Sequence, residues 1–244
     1  MITATAMPMP SRSVTLRERD LAGSRLRCLL LTHQPAEATV RVLTALAEPV
    51  ATVRAEDFWM PRGPLAPAEA KLGDAAGLLS AVVRDALTRW WLAVPTRANT
   101  PNWDLASTCM VAGRPGLLLV EAKAHAAELS SAGKPAGNEA NDRSIRAAIQ
   151  QASAGLNGVL PGWSLTAESH YQLANRFAWA WKLATLGVPV VLVYLGCLHA
   201  EDMARRGEPF SSPEQWDAEV RRHAQGIVPA GAWGRALDIG GVPL

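Results

Sequence analysis

Apolar positions along the chain switch between two periods, and the switches mark the elements. Over 74–92, Leu78, Leu79, Val82, Val83, Ala86, Trp90 and Trp91 recur at helical spacing, with Asp74 placed to cap and Pro95 to stop the helix. Over 142–156, Ile145, Ile149, Ala152 and Leu156 share one side. A further helix over 169–186 has Tyr171, Ala174, Ala178, Trp181 and Leu183 for packing and ends at Gly187. Between these lie strand patterns. Residues 103–112 are β-rich in their second half. Residues 117–125 open on Leu117-Leu118-Leu119-Val120, a continuous apolar run suited to a sheet covered on both faces, and 188–195 are β-branched. Gly113-Arg114-Pro115-Gly116 reads as the turn between the first two strands, and 130–141, with Gly133, Lys134, Pro135 and Gly137, as a mobile surface loop.

Upstream, a short strand is expected over 26–32 and a helix over 35–47, while the proline-rich stretch 59–67 excludes regular structure. A last helix over 213–225 precedes a Gly/Pro-rich tail. Helix, strand, strand, helix, helix, strand is an α/β order. Residues 1–25 read as a loosely ordered arm and 26–244 as one domain, with the last helix and tail over 199–244.

Composition narrows the class. With 49% hydrophobic and 19% charged residues, the chain can build a core without disulfides or structural metal. A net charge of +2, from 24 Lys+Arg against 22 Asp+Glu, excludes a coat protein or histone-like binder, so any nucleic-acid site has to be local. Cys28, Cys109 and Cys197 are widely spaced and form no CxxC or Cys/His cluster. Cys109 and Cys197 lie in apolar runs and are expected to be buried free thiols of a reducing compartment. Residues 1–20 hold no apolar core of signal-peptide length, and the run 183–198 is too short and too interrupted to span a bilayer. The expectation is a cytoplasmic protein with no membrane partner. Nearly every cation is arginine; the lysines are Lys71, Lys123, Lys134 and Lys182.

The GxSxG, HExxH, GxxxxGK[ST] and GxGxxG motifs are absent. What remains is Asp104 on one strand and Glu121-Ala122-Lys123 at the end of the next. Glu121, Lys123 and His125 share one face by strand alternation. If the strands pair as a hairpin, two carboxylates and an ammonium converge after an apolar run. There the like charges need a cation, such as Mg²⁺, which takes one or two carboxylates and keeps water and phosphate oxygens. The same set is open to a second reading, a salt-bridged strand end. Another acid-x-Lys triplet, Glu69-Ala70-Lys71, follows two prolines and reads as a solvated turn entering a helix.

Pro101-Asn102-Trp103-Asp104 and Leu118-Leu119-Val120-Glu121-Ala122-Lys123, with 16 residues between the two acids, resemble the PD-(D/E)xK nuclease superfamily. The resemblance spans about 74–196. It implies a restriction-endonuclease-like αβββαβ core with a mixed sheet flanked by helices and the 74–92 helix leading, on which no acid clearly matches the family's extra ligand and Asp85 is the best candidate. It also implies Asp104 and Glu121 as ligands of Mg²⁺ (or Mn²⁺), with the Ala122 carbonyl as a further ligand. Lys123 would stabilise transition-state charge and Gln172, on the helix after the motif, would orient water or a phosphate oxygen. The implied activity is phosphodiester hydrolysis of nucleic acid, DNA in preference to RNA. The alternative is a domain of this fold that no longer cuts and serves as a nucleic-acid-binding or assembly module, with an oligomer allowed. His125, Arg143, Arg146 and Arg176 are candidate nucleic-acid contacts, each weighed against an ordinary solvated position. Trp90, Trp91, Trp179 and Trp181 are expected in the core rather than stacked on bases.

Overall fold

The computed structural model describes residues 16–96 and 98–244, so most of the expected arm lies outside the described residues. A 3₁₀ turn, Glu18–Leu21, leads into α1 (Gly23–Leu31) and α2 (Ala36–Ala47). Three two-residue strands follow, β1 (Ala51–Thr52), β2 (Trp59–Met60) and β3 (Ala70–Lys71). Next come α3 (Ala81–Trp91), β4 (Asn102–Trp103), β5 (Leu105–Val111) and β6 (Arg114–Lys123). Helices α4 (Glu139–Asn157) and α5 (Tyr171–Thr185) lie between β6 and β7 (Val190–Gly196), and α6 (Pro213–Ala224) precedes the tail.

The sheet is mixed, in the order β1-β5-β6-β7, with β2 also on the β1 edge of β5. Strands β5 and β6 are antiparallel in a register running from Leu105↔Val120 to Val111↔Arg114, and β6 and β7 are parallel from Leu117↔Val190 to Lys123↔Gly196. The hairpin turn is tighter than its sequence suggests. Ala112 and Gly113 form it with positive φ of 47° and 77°, the combination a two-residue turn between twisted strands requires. Arg114 and Pro115 are therefore in β6. Leu117 donates its N–H toward β7, so Pro115, two residues earlier, turns its missing N–H to the same side, ahead of the first β7 partner.

Helices cover both faces. Leu43 and Ala47 of α2 pack with Leu105, Cys109, Leu118 and Val120 on one side. On the other, Leu117 and Leu119 meet α3, α4 and α5 in a cluster that includes Trp91, Ile149, Trp179 and Leu183. The tryptophans Trp91, Trp179 and Trp181 are buried, as expected of core residues, and the three cysteines are free and buried. Among the described residues no helix is long and apolar enough to cross a membrane.

Five expectations change. The stretch 59–67 holds regular structure at its start, because Trp59 and Met60 precede its first proline and pair with Ser107 and Ala106. Residues 26–32 lie in or at the end of a helix, because their apolar run buries Cys28 and Leu29 on one side and leaves Leu30 exposed. The described part of the arm, 16–25, is structured, with Arg25 3.0 Å from Asp20. The helix expected from Asp74 begins at Ala81, where the Ser80 hydroxyl accepts the Val83 N–H. The helix over 74–92 does not cover a face of its own: α3 packs with α4 and α5, and the opposite face is covered by α2, so the packed core starts well before 74.

Candidate functional site

The register that builds the hairpin also builds the site. Leu105 pairs with Val120, so one step further along the ladder Asp104 stands opposite Glu121. The Ala122 N–H, where an ordinary ladder would find a backbone partner, donates to Asp104 Oδ2 at 2.8 Å. In β6 the odd-numbered residues turn their peptide groups to β7, as Leu117 and Lys123 do. Ala122 therefore turns its N–H and its carbonyl to the Asp104 side.

Glu121 is on the α5 face and is held from both ends. Oε1 accepts from Lys123 Nζ, and Oε2 accepts from Arg176 Nε at 2.6 Å. Burial alone would raise the Glu121 pKa, but the charges of Arg176 and then Lys123 outweigh it and hold the carboxyl below its usual value. Among the described residues Asp104 has no such direct cation partner. Burial first, and then the Glu121 charge, push it up to about 7, despite opposing contributions from Lys123, the Ala122 N–H and Arg176. Two like acids thus differ because both cations are spent on one of them.

Arg176 is fixed on every side. Nη1 donates to Asn175 Oδ1 at 2.8 Å, Nη2 donates to the Asn102 carbonyl at 2.7 Å, and Cζ lies 4.6 Å from the centroid of the buried Trp103 ring. Burial lowers its pKa, but the Glu121 charge outweighs that and leaves it raised, so the guanidinium is a permanent charge here. Behind the pair, Tyr194, opposite Glu121 in the parallel ladder, has a buried hydroxyl without a hydrogen-bond partner among the described residues.

These residues open onto a cavity of about 490 Å³ whose wall includes Asp104, Glu121, Ala122, Lys123, Gln172 and Arg176. Of the expected residues, Asp104, Glu121, Ala122, Lys123 and Gln172 are therefore brought together. Arg176 is present in a different role, as a buried partner of Glu121 rather than a surface contact for phosphate. His125 is buried, 5% exposed, and pairs its backbone with Pro209, so it is not a free strand-end side chain. Arg143 is exposed and 3.7 Å from Glu139, and Arg146 pairs with Glu168; neither lines the cavity. Asp85 is exposed on α3 and outside it too.

Two acids enter that the motif does not name. Glu69 precedes β3, not a helix, and β3 pairs with β4 next to Asp104. Its Oε2 accepts from Asn102 Nδ2 at 2.8 Å and its Oε1 is 3.2 Å from Arg25 Nη1. Glu128, also on the wall, accepts the Ala124 N–H. The signal for Glu69 was its acid-x-Lys triplet, repeated 52 positions upstream of Glu121. For Glu128 no sequence signal stands out.

Among the described residues no group of three or more His, Cys, Asp or Glu side chains is placed to hold a metal ion. The donor set is narrower: the Asp104 and Glu121 carboxylates and the Ala122 carbonyl on one side of β6. That set suits a hard cation that fills its remaining positions with water or phosphate oxygens, as Mg²⁺ does. It does so only by exchanging one of the two ion pairs on Glu121. In comparisons with known proteins, no family model, no curated protein and no solved structure matches this chain.

Proposed function

We propose that the chain is a metal-dependent nuclease with a restriction-endonuclease-like core. The observation that carries the reading is the Asp104 carboxylate accepting the Ala122 N–H beside Glu121, with Lys123 on Glu121 and an open cavity in front of them. The order of elements supports it. Helix α2, the broken edge strand β1/β2, β5, β6, the crossover helix α5 and β7 run in αβββαβ order, with α2 on one face and α5, together with α3 and α4, on the other. This is analogy at the level of fold, and the site has to carry the function.

Asp104, Glu121 and the Ala122 carbonyl would hold Mg²⁺ or Mn²⁺. The bound ion would supply charge to polarise a phosphodiester and acidity to a water. The chain's own groups do the remaining work. Lys123 presents a compact ammonium at the cavity wall, where it can donate to a phosphate oxygen as charge develops. Gln172, at the start of α5, can orient a water or a phosphate oxygen, and Arg176 pins the Glu121 carboxylate in place. The substrate is nucleic acid, with DNA ahead of RNA. The test is purified protein with linear, circular and single-stranded DNA in Mg²⁺, Mn²⁺ and chelator. Cleavage that survives chelator, or survives Glu121→Ala, would remove this assignment.

One observation favours a second reading, a non-cutting domain of this fold that binds nucleic acid or an assembly partner. Both Glu121 oxygens are already neutralised by protein cations. Calorimetry separates the two readings: DNA retained by a protein that takes up no Mn²⁺ supports the non-cutting module.

A further inference from the structure

A second cavity, of about 410 Å³, lies at the end of α6, and its wall includes Arg221, Arg222, Gln225, Val228, Pro229 and Trp233. It shares no wall residue with the cavity of Asp104 and Glu121. The two differ in charge. Four acids, Glu69, Asp104, Glu121 and Glu128, stand on the first wall against Lys123 and Arg176. On the second, the charged residues are the two arginines, with no Asp or Glu among the described residues of the wall. Its size falls in the range of small-ligand pockets, about 300–1,000 Å³.

The core holds Trp233 in orientation. Its ring stands at 86° to Phe177 and 73° to Tyr194, with centroids 6.2 and 5.9 Å away. Arg221 lies over the indole, its Cζ 5.9 Å from the ring centroid. One turn earlier on α6, Asp217 accepts from Arg221 Nε with both carboxylate oxygens at 2.8 Å. That fixes the guanidinium and leaves its Nη edge unpaired among the described residues. Asp217 is off the wall, and so is Glu219, the partner of Arg222. The end of the helix adds little negative charge, because the Arg222 and Ala224 carbonyls already accept from Gln225, Ile227 and Val228.

Each feature matches a part of one ligand. A free guanidinium fork takes phosphate oxygens two at a time. An indole and a guanidinium plane are both surfaces on which nucleobases stack. Val228 and Pro229 add apolar wall, and the Gln225 amide carries a donor and an acceptor for a base edge. We infer that this cavity binds a nucleoside phosphate, with the phosphate on Arg221 and Arg222 and the base against Trp233. The nucleotide is either free or one unit of a single strand, and the recognising chemistry is the same. The inference is independent of the metal-site reading of Asp104 and Glu121, because neither a metal nor those residues enter it.

The experiment is calorimetric titration of 5′-dAMP, a single-stranded dA hexamer and inorganic phosphate into the full chain, all in chelator so that no metal takes part. The same titrations use Arg221→Gln, whose side chain is 48% exposed, and Trp233→Leu, with far-ultraviolet dichroism as the check on folding. The wild type is expected to bind dAMP at least about tenfold more tightly than phosphate, the size of one base stacked on an aromatic ring. Arg221→Gln is expected to weaken dAMP about tenfold, and Trp233→Leu to bring it to the level of phosphate. A hexamer bound at least about tenfold more tightly than dAMP identifies the ligand as a strand, and a smaller difference identifies the free nucleotide; both support the inference. In the wild type, dAMP bound no more tightly than phosphate overturns it, and that arm needs no variant to fold. Equal dAMP affinity in the wild type and folded Arg221→Gln puts the nucleotide elsewhere and overturns it too.

Discussion

Arg176 Nε lies 2.6 Å from Glu121 Oε2 across the α5–β6 interface, and the two side chains are 6% and 1% exposed. A buried charge that loses its partner is far more costly than the pair is stabilising. Glu121→Ala leaves both Lys123 and Arg176 facing an empty position. We expect it to lower unfolding stability by about 3–5 kcal/mol, read from the urea midpoint. The double variant Glu121→Leu/Arg176→Met removes both charges of the Arg176 pair and is expected to recover part of that loss.

Lys123 can be removed with less structural consequence, because Arg176 still neutralises Glu121. Lys123→Ala is expected to fold and to bind Mn²⁺ at least as well as wild type. If Lys123 stabilises charge on the phosphate, DNA cleavage should fall by about 10²-fold or more. A loss of Mn²⁺ binding with unchanged cleavage chemistry would instead place Lys123 among the metal-holding groups.

How far the sequence discloses this arrangement depends on the residue. The run Leu117-Leu118-Leu119-Val120 discloses a strand buried on both faces, and that fixes which face Glu121 and Lys123 share. The apolar period of α5 marks it as a helix, but an arginine on it also fits a solvated face. From Leu173 to Trp181 it is buried on all sides, so an arginine inside it has to be paired. That signal was present in the apolar run around Arg176. The edge of the sheet was not legible, because β1 and β2 are two residues each and separated by an irregular loop, too short for any period to register. Run 26–32 was ambiguous for the opposite reason: a short apolar stretch fits a helix and a strand equally well.

Asp104 gives the protein a pH dependence of defined sign. Burial and the Glu121 charge put its folded pKa at about 7, above the ordinary value of 3.8. An acid with a raised folded pKa contributes stability that is fully present below its unfolded pKa and is lost as pH rises through 7. The metal-free protein should therefore lose stability as pH rises from about 4 to about 7, by on the order of a few kcal/mol. Asp104→Asn should flatten that part of the profile in urea melts. Mn²⁺ affinity should change in the opposite direction, strengthening as pH rises through 7 and Asp104 ionises.

A second titration lies where α6 meets the start of α5. His223 and His170 have ring centroids 4.8 Å apart. Burial first, then the charges of His170, Lys123 and Arg222, press the His223 pKa down to about 4. A depressed histidine contributes stability that is present above its unfolded pKa and is lost as pH falls through 4. Between about pH 4 and 6.5 this contribution grows with pH while that of Asp104 is being lost, so the two oppose each other. His223→Gln should therefore steepen the fall in stability toward pH 7, and in an Asp104→Asn background it should remove the loss on acidification below about pH 6.5.

Gly196 closes the ladder against Lys123, and it is glycine because α6 needs the space. A Cβ at this position would lie 2.5 Å from Cγ and Cδ2 of the Trp216 indole. Trp216 has little freedom to retreat, since its ring packs edge-on against the fully buried Phe210 with centroids 4.9 Å apart. Gly196→Ala therefore forces α6 outward or displaces the end of β7, and the β6 partner of that end is Lys123. We expect a destabilisation of about 1–3 kcal/mol, the usual cost of overpacking. Weakened Mn²⁺ binding should accompany it, because the displaced ladder carries Glu121 and Ala122. Stability loss with unchanged Mn²⁺ affinity would mean that α6 yields and the β6–β7 ladder does not.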